Sequence, residues 1–307
     1  MRAFIFPGQG SQAVGMGKAL AEASPAARAV FEEVDEALGQ KLSALMAEGP
    51  QEELTLTTNA QPAIMANAIA TLRASGIDLA AKADFVAGHS LGEYSALCGA
   101  GAFDLATTAR LLKLRGQAMQ EAVPVGEGAM AALLGADLAL AQAIADAAAE
   151  GEVCTVANDN DPSQVVISGH RGAVERALGI AKEKGAKRAV LLPVSAPFHC
   201  PLMQPAADRM AQALGDVAIA APAVPVYANV TAAPVSDPAE IRRLLVEQVT
   251  GMVRWRESVA AMAAAGVTHF VELGGKVLGP MVKRIAPDVT VTSVITMDDI
   301  DALVGEI

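Results

Sequence analysis

A serine framed by two glycines stands in the strongest chemical pattern of this chain. Gly88-His89-Ser90-Leu91-Gly92 fits Gly-x-Ser-x-Gly and lies between a strand-like run, 85–87, and a run of helix formers, 93–97. The glycines let a strand and a helix approach without a Cβ clash, so that the serine Oγ projects outward. The helix that starts at Leu91 directs its first N–H groups at that oxygen. The pattern predicts a nucleophile elbow, although an ordinary turn can match it by chance.

A serine nucleophile needs a general base, and the chain has four histidines. His199 is the best candidate, because flanking prolines fix the direction of its segment. His89 adjoins Ser90 and should point away from it at a sharp turn, and His170 and His269 lie at strand ends. No Asp or Glu is convincingly placed to orient the base, so a main-chain carbonyl can serve as the acceptor for Nδ1–H. A lone histidine is more often structural, and this assignment depends on Ser90.

Two further segments carry groups suited to an acyl substrate. The loop 7–12 places Gln9 between two glycines, so that its amide and its backbone N–H are unobstructed; a polar turn is the alternative interpretation. The helix predicted from Asp104 to about Met119 carries Arg115 on an otherwise apolar face. Such a cation is usually paired or extends to solvent, but a guanidinium can also take a carboxylate bidentately.

Composition narrows the class of protein. The chain has 307 residues, 52% of them hydrophobic and only 3% aromatic, which suits Ala-, Val- and Leu-rich helices packed on a sheet. The formal net charge of −11 argues against a nucleic-acid partner. Three widely spaced cysteines suggest neither a disulfide framework nor a metal site. No apolar run is long enough for a bilayer span, and the chain starts directly in a strand, so we expect a cytoplasmic protein without membrane contact.

The elements predicted around these segments are those of an α/β protein. Before and around the elbow we expect a strand over 3–6, helices over 26–38 and 62–75, and the elbow strand. After residue 126 the order changes to βαββαβ: strands over 128–135, 153–157, 164–168 and 187–192, and helices over 137–149 and 171–184. The last third contains strands over 224–229 and 269–274 and helices over 238–250, 255–265 and 276–285. The middle pattern is a ferredoxin-like unit, long enough to be an inserted subdomain.

The motifs, taken together and in order, resemble the malonyl-CoA:acyl-carrier-protein transacylase family across essentially the whole chain. The segments that carry the resemblance are Phe6 to Gln12, Gly88 to Tyr94, the helix with Arg115, Asn158 to Gly169, Phe198-His199 and Gln248. The resemblance implies an α/β-hydrolase-like large domain, residues 1–125 and 195–307, with an inserted ferredoxin-like small domain, residues 126–194. It places the active site in the cleft between them, in agreement with the pattern of elements.

The resemblance also implies a role for each matching residue. Ser90 is the acylated nucleophile, His199 its base, and the backbone N–H groups of Gln9 and Leu91 form the oxyanion hole. Arg115 grips the free carboxylate of malonyl, and the main-chain carbonyl at Gln248 accepts from the histidine. The remaining substrate-binding positions are Asn158, Gln164 and Phe198.

One segment departs from the family pattern. The family often has Asn-Asn-Pro-Gly in the loop after Asn158, where this chain has Asp159-Asn160-Asp161-Pro162-Ser163. The departure adds carboxylates close to the expected path of an anionic donor.

The expected reaction is ping-pong malonyl transfer from malonyl-CoA to the phosphopantetheine thiol of acyl carrier protein, in fatty-acid synthesis. We expect a monomer that needs no metal and no cofactor. Carrier docking on this acidic chain would need a local basic face, for which the candidates are Lys182, Lys184, Lys187, Arg188, Lys276, Lys283 and Arg284.

Two other functions compete with transfer. The elbow alone also fits a serine esterase or thioesterase, although a buried cation at Arg115 weighs against one. A catalytically silent acyl-binding protein is disfavoured by the intact Ser90 and His199. Labelling with acyl-CoA separates the three, because only a transferase accumulates a stable acyl-enzyme.

Overall fold

The computed structural model describes all 307 residues of the chain, which form ten strands and fifteen α-helices. The strands are β1 Arg2–Phe6, β2 Phe85–Gly88, β3 Gly128–Leu134, β4 Cys154–Asp161, β5 Gln164–His170, β6 Arg188–Leu191, β7 Val226–Ala228, β8 Ala233–Val235, β9 His269–Leu273 and β10 Thr290–Val294. The helices are α1 Lys18–Ala23, α2 Pro25–Leu38, α3 Leu42–Glu48, α4 Gln51–Thr55, α5 Thr57–Ser75, α6 Leu79–Lys82, α7 Gly92–Gly99, α8 Leu105–Glu121, α9 Leu138–Ala149, α10 Arg171–Glu183, α11 Gln204–Gly215, α12 Pro238–Thr250, α13 Trp255–Ala264, α14 Leu278–Ile285 and α15 Met297–Glu306.

The larger sheet has the strand order β10-β9-β1-β2-β7-β8. Its first five strands run parallel, and only β8 pairs antiparallel, at the edge. The central strands are almost wholly buried, as expected where helices cover both faces of a parallel sheet. One face packs on a cluster that includes Phe4, Phe6 and Val86, and the other on a cluster that includes Ile5 and Ala87. The elbow follows β2, at the carboxyl ends of the parallel strands, where open α/β sheets bind ligands.

The second sheet is antiparallel, with the order β4-β5-β3-β6. Together with α9 and α10 it gives the βαββαβ unit predicted from the sequence, and the strand order is the ferredoxin-like one. The two helices share a small apolar core of their own with one face of this sheet. The predicted α/β class is therefore confirmed, with an α/β-hydrolase-like large sheet and a ferredoxin-like smaller one.

Backbone and side-chain bonds join β4 of the small sheet to α13, to α14 and to the segment before α13. Val253 donates to the carbonyl of Ala157 and accepts from the N–H of Asp159, at 2.8 and 3.0 Å. The carboxylate of Asp159, fully buried, pairs with Arg256 at 2.8 Å. Asp161, also fully buried, pairs with Arg284 at 2.7 Å. These contacts fix the position of the small sheet over the elbow.

Those ion pairs correct two sequence-based expectations. The segment 158–161 continues strand β4 instead of forming a loop, and only Pro162 and Ser163 make the turn before β5. The carboxylates of Asp159 and Asp161 therefore add no exposed negative charge to the path of a donor, because each is buried against an arginine. Arg284, one of the candidate docking cations, is already paired in the same way.

Two other predictions of helices differ from the structure, one in where a helix begins and one in which helix is the last. Helix α5 begins at Thr57, so that Pro62 lies inside it and does not start it; all residues from Asn59 to Leu72 are buried. The closing helix is α15, not the one near 276–285, and β10 precedes it. None of the helices has both the length and the apolar sequence that a bilayer crossing needs.

Candidate active site

The turn after β2 has the geometry of a nucleophile elbow. Ser90 has a φ of +54°, in the left-handed region, which is costly for a residue with a side chain. A Cβ on Gly88 would lie 1.9 Å from the carbonyl carbon of Gly92, and one on Gly92 would lie 2.3 Å from the carbonyl oxygen of Phe6. Only glycine fits at these two positions, so the spacing of the motif follows from the close contact of β1, β2 and α7.

Ser90 and His199 are in direct contact. The Oγ of Ser90 lies 2.7 Å from Nε2 of His199, although 109 residues separate them in the chain. Nδ1 of His199 lies 2.9 Å from the carbonyl oxygen of Gln248. Because a carbonyl can only accept, Nδ1 carries the proton and Nε2 is left with a lone pair for the Ser90 hydroxyl. The main-chain acceptor expected from the lack of an acid is present.

His199 is buried and remains neutral over the usual pH range. Burial, followed by the nearby Arg115 cation, lowers its pKa to about 3. His89 is turned away from the serine, as predicted, and its Nε2 lies 2.7 Å from Oδ1 of Asn160 on β4. The other two histidines lie outside the site. His170 accepts a hydrogen bond from the N–H of Val153, and His269 contacts the hydroxyl of Thr292.

Arg115 reaches the same serine from helix α8. Its guanidinium donates to Oε1 of Gln61 at 2.7 Å, to Oε1 of Gln248 at 2.9 Å and to the Oγ of Ser90 at 3.2 Å. It also lies over the ring of Tyr94, 5.7 Å from the centroid. No carboxylate forms an ion pair with this buried cation, and its Nε has no partner. A buried, unpaired guanidinium favours a substrate that brings its own negative charge.

Two backbone donors beside the serine are free. The N–H groups of Gln9 and Leu91 make no hydrogen bond within the protein, and both residues line the cleft with Ser90. Leu91 is the cap of α7, so the positive end of that helix faces the same place. The Gln9 side chain is fixed from behind by the hydroxyl of Thr57, at 3.2 Å. These donors are placed as an oxyanion hole requires.

A cavity of about 360 Å³ opens above Ser90, between the two sheets. Phe198, Met119, Met130, Ala132 and Val166 form much of its apolar wall. Asn158 and Gln164 line it from the small sheet, and Oδ1 of Asn158 is buried without a partner.

Eight of the nine candidate residues line this cavity: Gln9, Ser90, Leu91, Arg115, Asn158, Gln164, Phe198 and His199. The ninth, Gln248, is fully buried behind it. The resemblance places Gln248 among the substrate-binding residues as well as beside the histidine; in the structure it contacts His199, Ser90 and Arg115 and does not reach the cavity.

Sequence reasoning missed three polar residues: Gln61 in the wall of the cavity, and Glu93 and Asn229 beneath it. Gln61 anchors Arg115, and the side chain of Asn229 accepts from the N–H of Ser90 at 2.8 Å and donates to Gly88 at 2.7 Å. Glu93 accepts from the N–H of Asn229 and from the Gln248 side chain, both at 2.9 Å. Glu93 was read only as a helix former. Pro62, taken as the helix start, placed Gln61 in a loop, and nothing local in the sequence marks Asn229.

The fold and the geometry of this site are typical of enzymes that form an acyl-serine. The acyl transferase domain family matches residues 3–276. A malonyl CoA-acyl carrier protein transacylase of Bacillus subtilis (strain 168) is 50% identical over 92% of this chain and 90% of its own length. The crystal structure of an acyl-carrier-protein-S-malonyltransferase from Bartonella henselae superposes with a TM-score of 0.97, at 55% identity and over 99% of each chain.

A third relative is a solved complex of a type II PKS acyl-carrier protein with its malonyl-transacylase. Its TM-score is 0.95, at 40% identity over 100% of this chain and 99% of that one. The chain belongs to the malonyl CoA-acyl carrier protein transacylases, within the acyl transferase family.

Proposed function

We propose that this enzyme moves the malonyl group from malonyl-CoA to the phosphopantetheine thiol of acyl carrier protein through a malonyl-Ser90 intermediate. The observation that carries the proposal is the position of the Ser90 hydroxyl between the His199 imidazole and the unpaired Arg115 guanidinium. The names of the relatives and the carrier complex support the donor and the acceptor. In this proposal residues 1–125 and 195–307 supply the catalytic groups, and residues 126–194 close the cleft.

In the first half-reaction His199 Nε2 takes the Ser90 proton as Oγ attacks the thioester carbonyl carbon. The N–H groups of Gln9 and Leu91 donate to the oxyanion of the tetrahedral intermediate. The carbon–sulfur bond then breaks, and the imidazolium returns its proton to the CoA thiolate. In the second half-reaction the carrier thiol gives its proton to His199 as its sulfur attacks the carbonyl carbon of the malonyl ester. The bond from that carbon to Ser90 Oγ then breaks, and the His199 imidazolium returns the proton to Oγ.

Arg115 favours a malonyl group over the neutral acyl groups of simple esters. Its guanidinium lies within hydrogen-bond distance of the Ser90 Oγ, so the distal carboxylate of a bound malonyl group can reach it. A neutral acyl group would leave the cation buried and unpaired, which is unfavourable.

Incubation with labelled malonyl-CoA, with and without holo acyl carrier protein, tests the proposal. We expect a stable labelled Ser90 adduct that is discharged only when the carrier is added. Rapid release of free malonate without the carrier would instead identify a hydrolase, and no adduct at all would identify a binding protein.

We expect Arg115→Ala to lower kcat/KM for malonyl-CoA by about two orders of magnitude or more, since a buried charge pair contributes a few kcal/mol. Preference should relax toward acetyl-CoA and longer neutral acyl groups. Arg110→Ala, which removes an exposed arginine from the same helix, is the matched control. A competition assay between malonyl-CoA and acetyl-CoA measures the change. An unaltered malonyl preference in Arg115→Ala would show that another group binds the carboxylate.

The carrier is expected to approach along the small sheet, where Lys187 and Arg188 are exposed. Arg188 pairs with Leu134 on one side of β3, and Gln164, which lines the cleft, pairs with Leu134 on the other. Lys187 and Arg188 are thus separated from the active-site opening by a single strand, β3. Lys283, proposed earlier for the same face, donates to the carbonyls of Pro287 and Val289 instead.

Charge reversal at Lys187 and Arg188 should raise the KM for acyl carrier protein and leave the KM for malonyl-CoA unchanged, with a larger effect at low salt. Lys41→Glu makes the same kind of charge change at another exposed lysine and should affect neither KM. Steady-state kinetics at two ionic strengths measure both values. Equal effects on the two substrates would reject this docking face.

A further inference from the structure

The carboxylate of Glu93 lies beneath the nucleophile, in the first turn of α7, and only 2% of the residue is exposed. Its Oε2 accepts two hydrogen bonds at 2.9 Å, one from the backbone N–H of Asn229 and one from the Gln248 side chain. A buried carboxylate is retained at a high desolvation cost, so its contacts call for a functional explanation.

The two residues that donate to Glu93 are also hydrogen-bonded to catalytic residues. Asn229 accepts the N–H of Ser90 with its side-chain oxygen, at 2.8 Å. The Gln248 side chain donates to the carbonyl oxygen of Ser90 at 3.0 Å, and its main-chain carbonyl accepts from His199. Both peptide groups of the strained Ser90 are thereby bonded to residues that Glu93 fixes. The main-chain carbonyl of Gln248 also keeps His199 in the tautomer that has its proton on Nδ1.

The charges around Glu93 make its state of ionisation important. The Arg115 cation lowers the pKa of Glu93 by its charge but makes no ion pair with this carboxylate. Burial, only partly offset by the bonds from Asn229 and Gln248 and by Arg115, raises the pKa of Glu93 to about 7. Tyr94 on the same helix, His89 on the elbow and His199 above are the other titratable groups around it. Burial raises the pKa of Tyr94 and lowers the pKa of both histidines, so that all three stay neutral near pH 7. Tyr227, on β7, packs on the opposite face of the sheet.

We infer that Glu93 is a positioning residue of the transfer reaction, which joins the backbone of Ser90 to the residue that orients His199. This role rests on the proposed function, because it concerns the same acylation step. Glu93 touches neither the serine hydroxyl nor the substrate cavity; it acts through Asn229 and Gln248.

Single-turnover acylation by malonyl-CoA, measured from pH 5.5 to 8.5, tests the role in the full-length protein. We expect Glu93→Ala to acylate about 100-fold more slowly than wild type, with the half-saturating malonyl-CoA concentration changed much less. Glu93→Gln keeps an acceptor oxygen and should recover most of the rate. Ser95→Ala, in the same buried helix but with a hydroxyl that has no partner, is the control and should acylate normally.

The pH profile separates positioning from mere stability. Wild-type acylation should rise through about pH 7, because an ionised carboxylate accepts more strongly than a neutral acid. In Glu93→Gln that rise should be missing, while His199, with a pKa of about 3, produces no other rise in this range. Adding Asn229→Ala to Glu93→Ala should cost less than the sum of the two single changes, because each of them breaks the same hydrogen-bonded connection.

Three results would overturn the role: a Glu93→Ala enzyme that melts earlier but acylates within threefold of wild type, an unchanged pH profile in Glu93→Gln, or strict additivity with Asn229→Ala. If Glu93→Ala does not fold, the pH profile of Glu93→Gln decides alone. A wild-type protein that takes no malonyl group would instead reject the proposed function itself, and so the two failures can be told apart.

Discussion

Ser90→Ala should form no malonyl-enzyme, while the fold and the melting temperature stay close to those of wild type. The substitution removes only the Oγ that contacts His199 and Arg115. Serine and alanine both carry a Cβ, so the strain of the left-handed φ of +54° is the same in both proteins. The backbone bonds of residue 90 to Asn229 and Gln248 do not involve the lost oxygen and should survive.

Intact-mass spectrometry after incubation with malonyl-CoA measures the adduct directly, and a thermal melt reports the fold. Ser95→Ala removes a hydroxyl from the first turns of the same helix and should be labelled as fully as wild type. A malonyl adduct on Ser90→Ala protein would transfer the nucleophile's role to another residue.

The elbow could be predicted from the sequence because its constraints are local. The Cβ clashes at Gly88 and Gly92 arise from neighbouring backbone, so that the five-residue motif itself reports them. The βαββαβ order of the small sheet could likewise be predicted, since each of its strands and helices shows its own apolar pattern and α9 also has an N-cap. Asp137, for example, accepts from Leu140 at the start of α9.

The polar support of the site could not be predicted in this way. Glu93 lies 136 residues before Asn229 and 155 residues before Gln248 in the chain, and the role of each depends on their contact in the fold. The Asn and Asp residues of 158–161 are poor strand formers, so the sequence predicts a loop where the structure has the end of strand β4. Tertiary contacts override that preference, through the ion pair of Asp161 with Arg284 and the backbone bonds to Val253.

The C-terminal end shows a different reason for a missed element. Thr296 and Asp299 form a capping box, in which the Thr296 side chain accepts from the N–H of Asp299 and the Asp299 carboxylate accepts from that of Thr296. The capping box can be read from the sequence, and it predicts the correct first residue of α15. The β-branched run of β10 before it was an equally local signal.

His199→Ala should lower the rate of acylation by about three orders of magnitude or more, as in other serine enzymes that lose their base. The imidazole is the only group that accepts the Ser90 proton at 2.7 Å, and Arg115 can only donate to that oxygen. Rapid-quench single-turnover experiments with malonyl-CoA measure the effect. His269→Ala, which removes the histidine at the first residue of β9, outside the active site, should acylate at the normal rate.

The pKa of His199 adds a second measurement on the same variant. Because burial and Arg115 lower it from 6.5 to about 3, the folded protein resists protonation that the unfolded chain accepts. The contribution of neutral His199 to stability is therefore complete above pH 6.5 and decreases as the pH falls toward 3. Wild type should lose stability relative to His199→Ala over this interval, in denaturant melts at successive pH values. A near-normal acylation rate in His199→Ala would assign the base to another residue, for which His89 is the nearest histidine. Parallel stability curves would instead contradict the lowered pKa of His199.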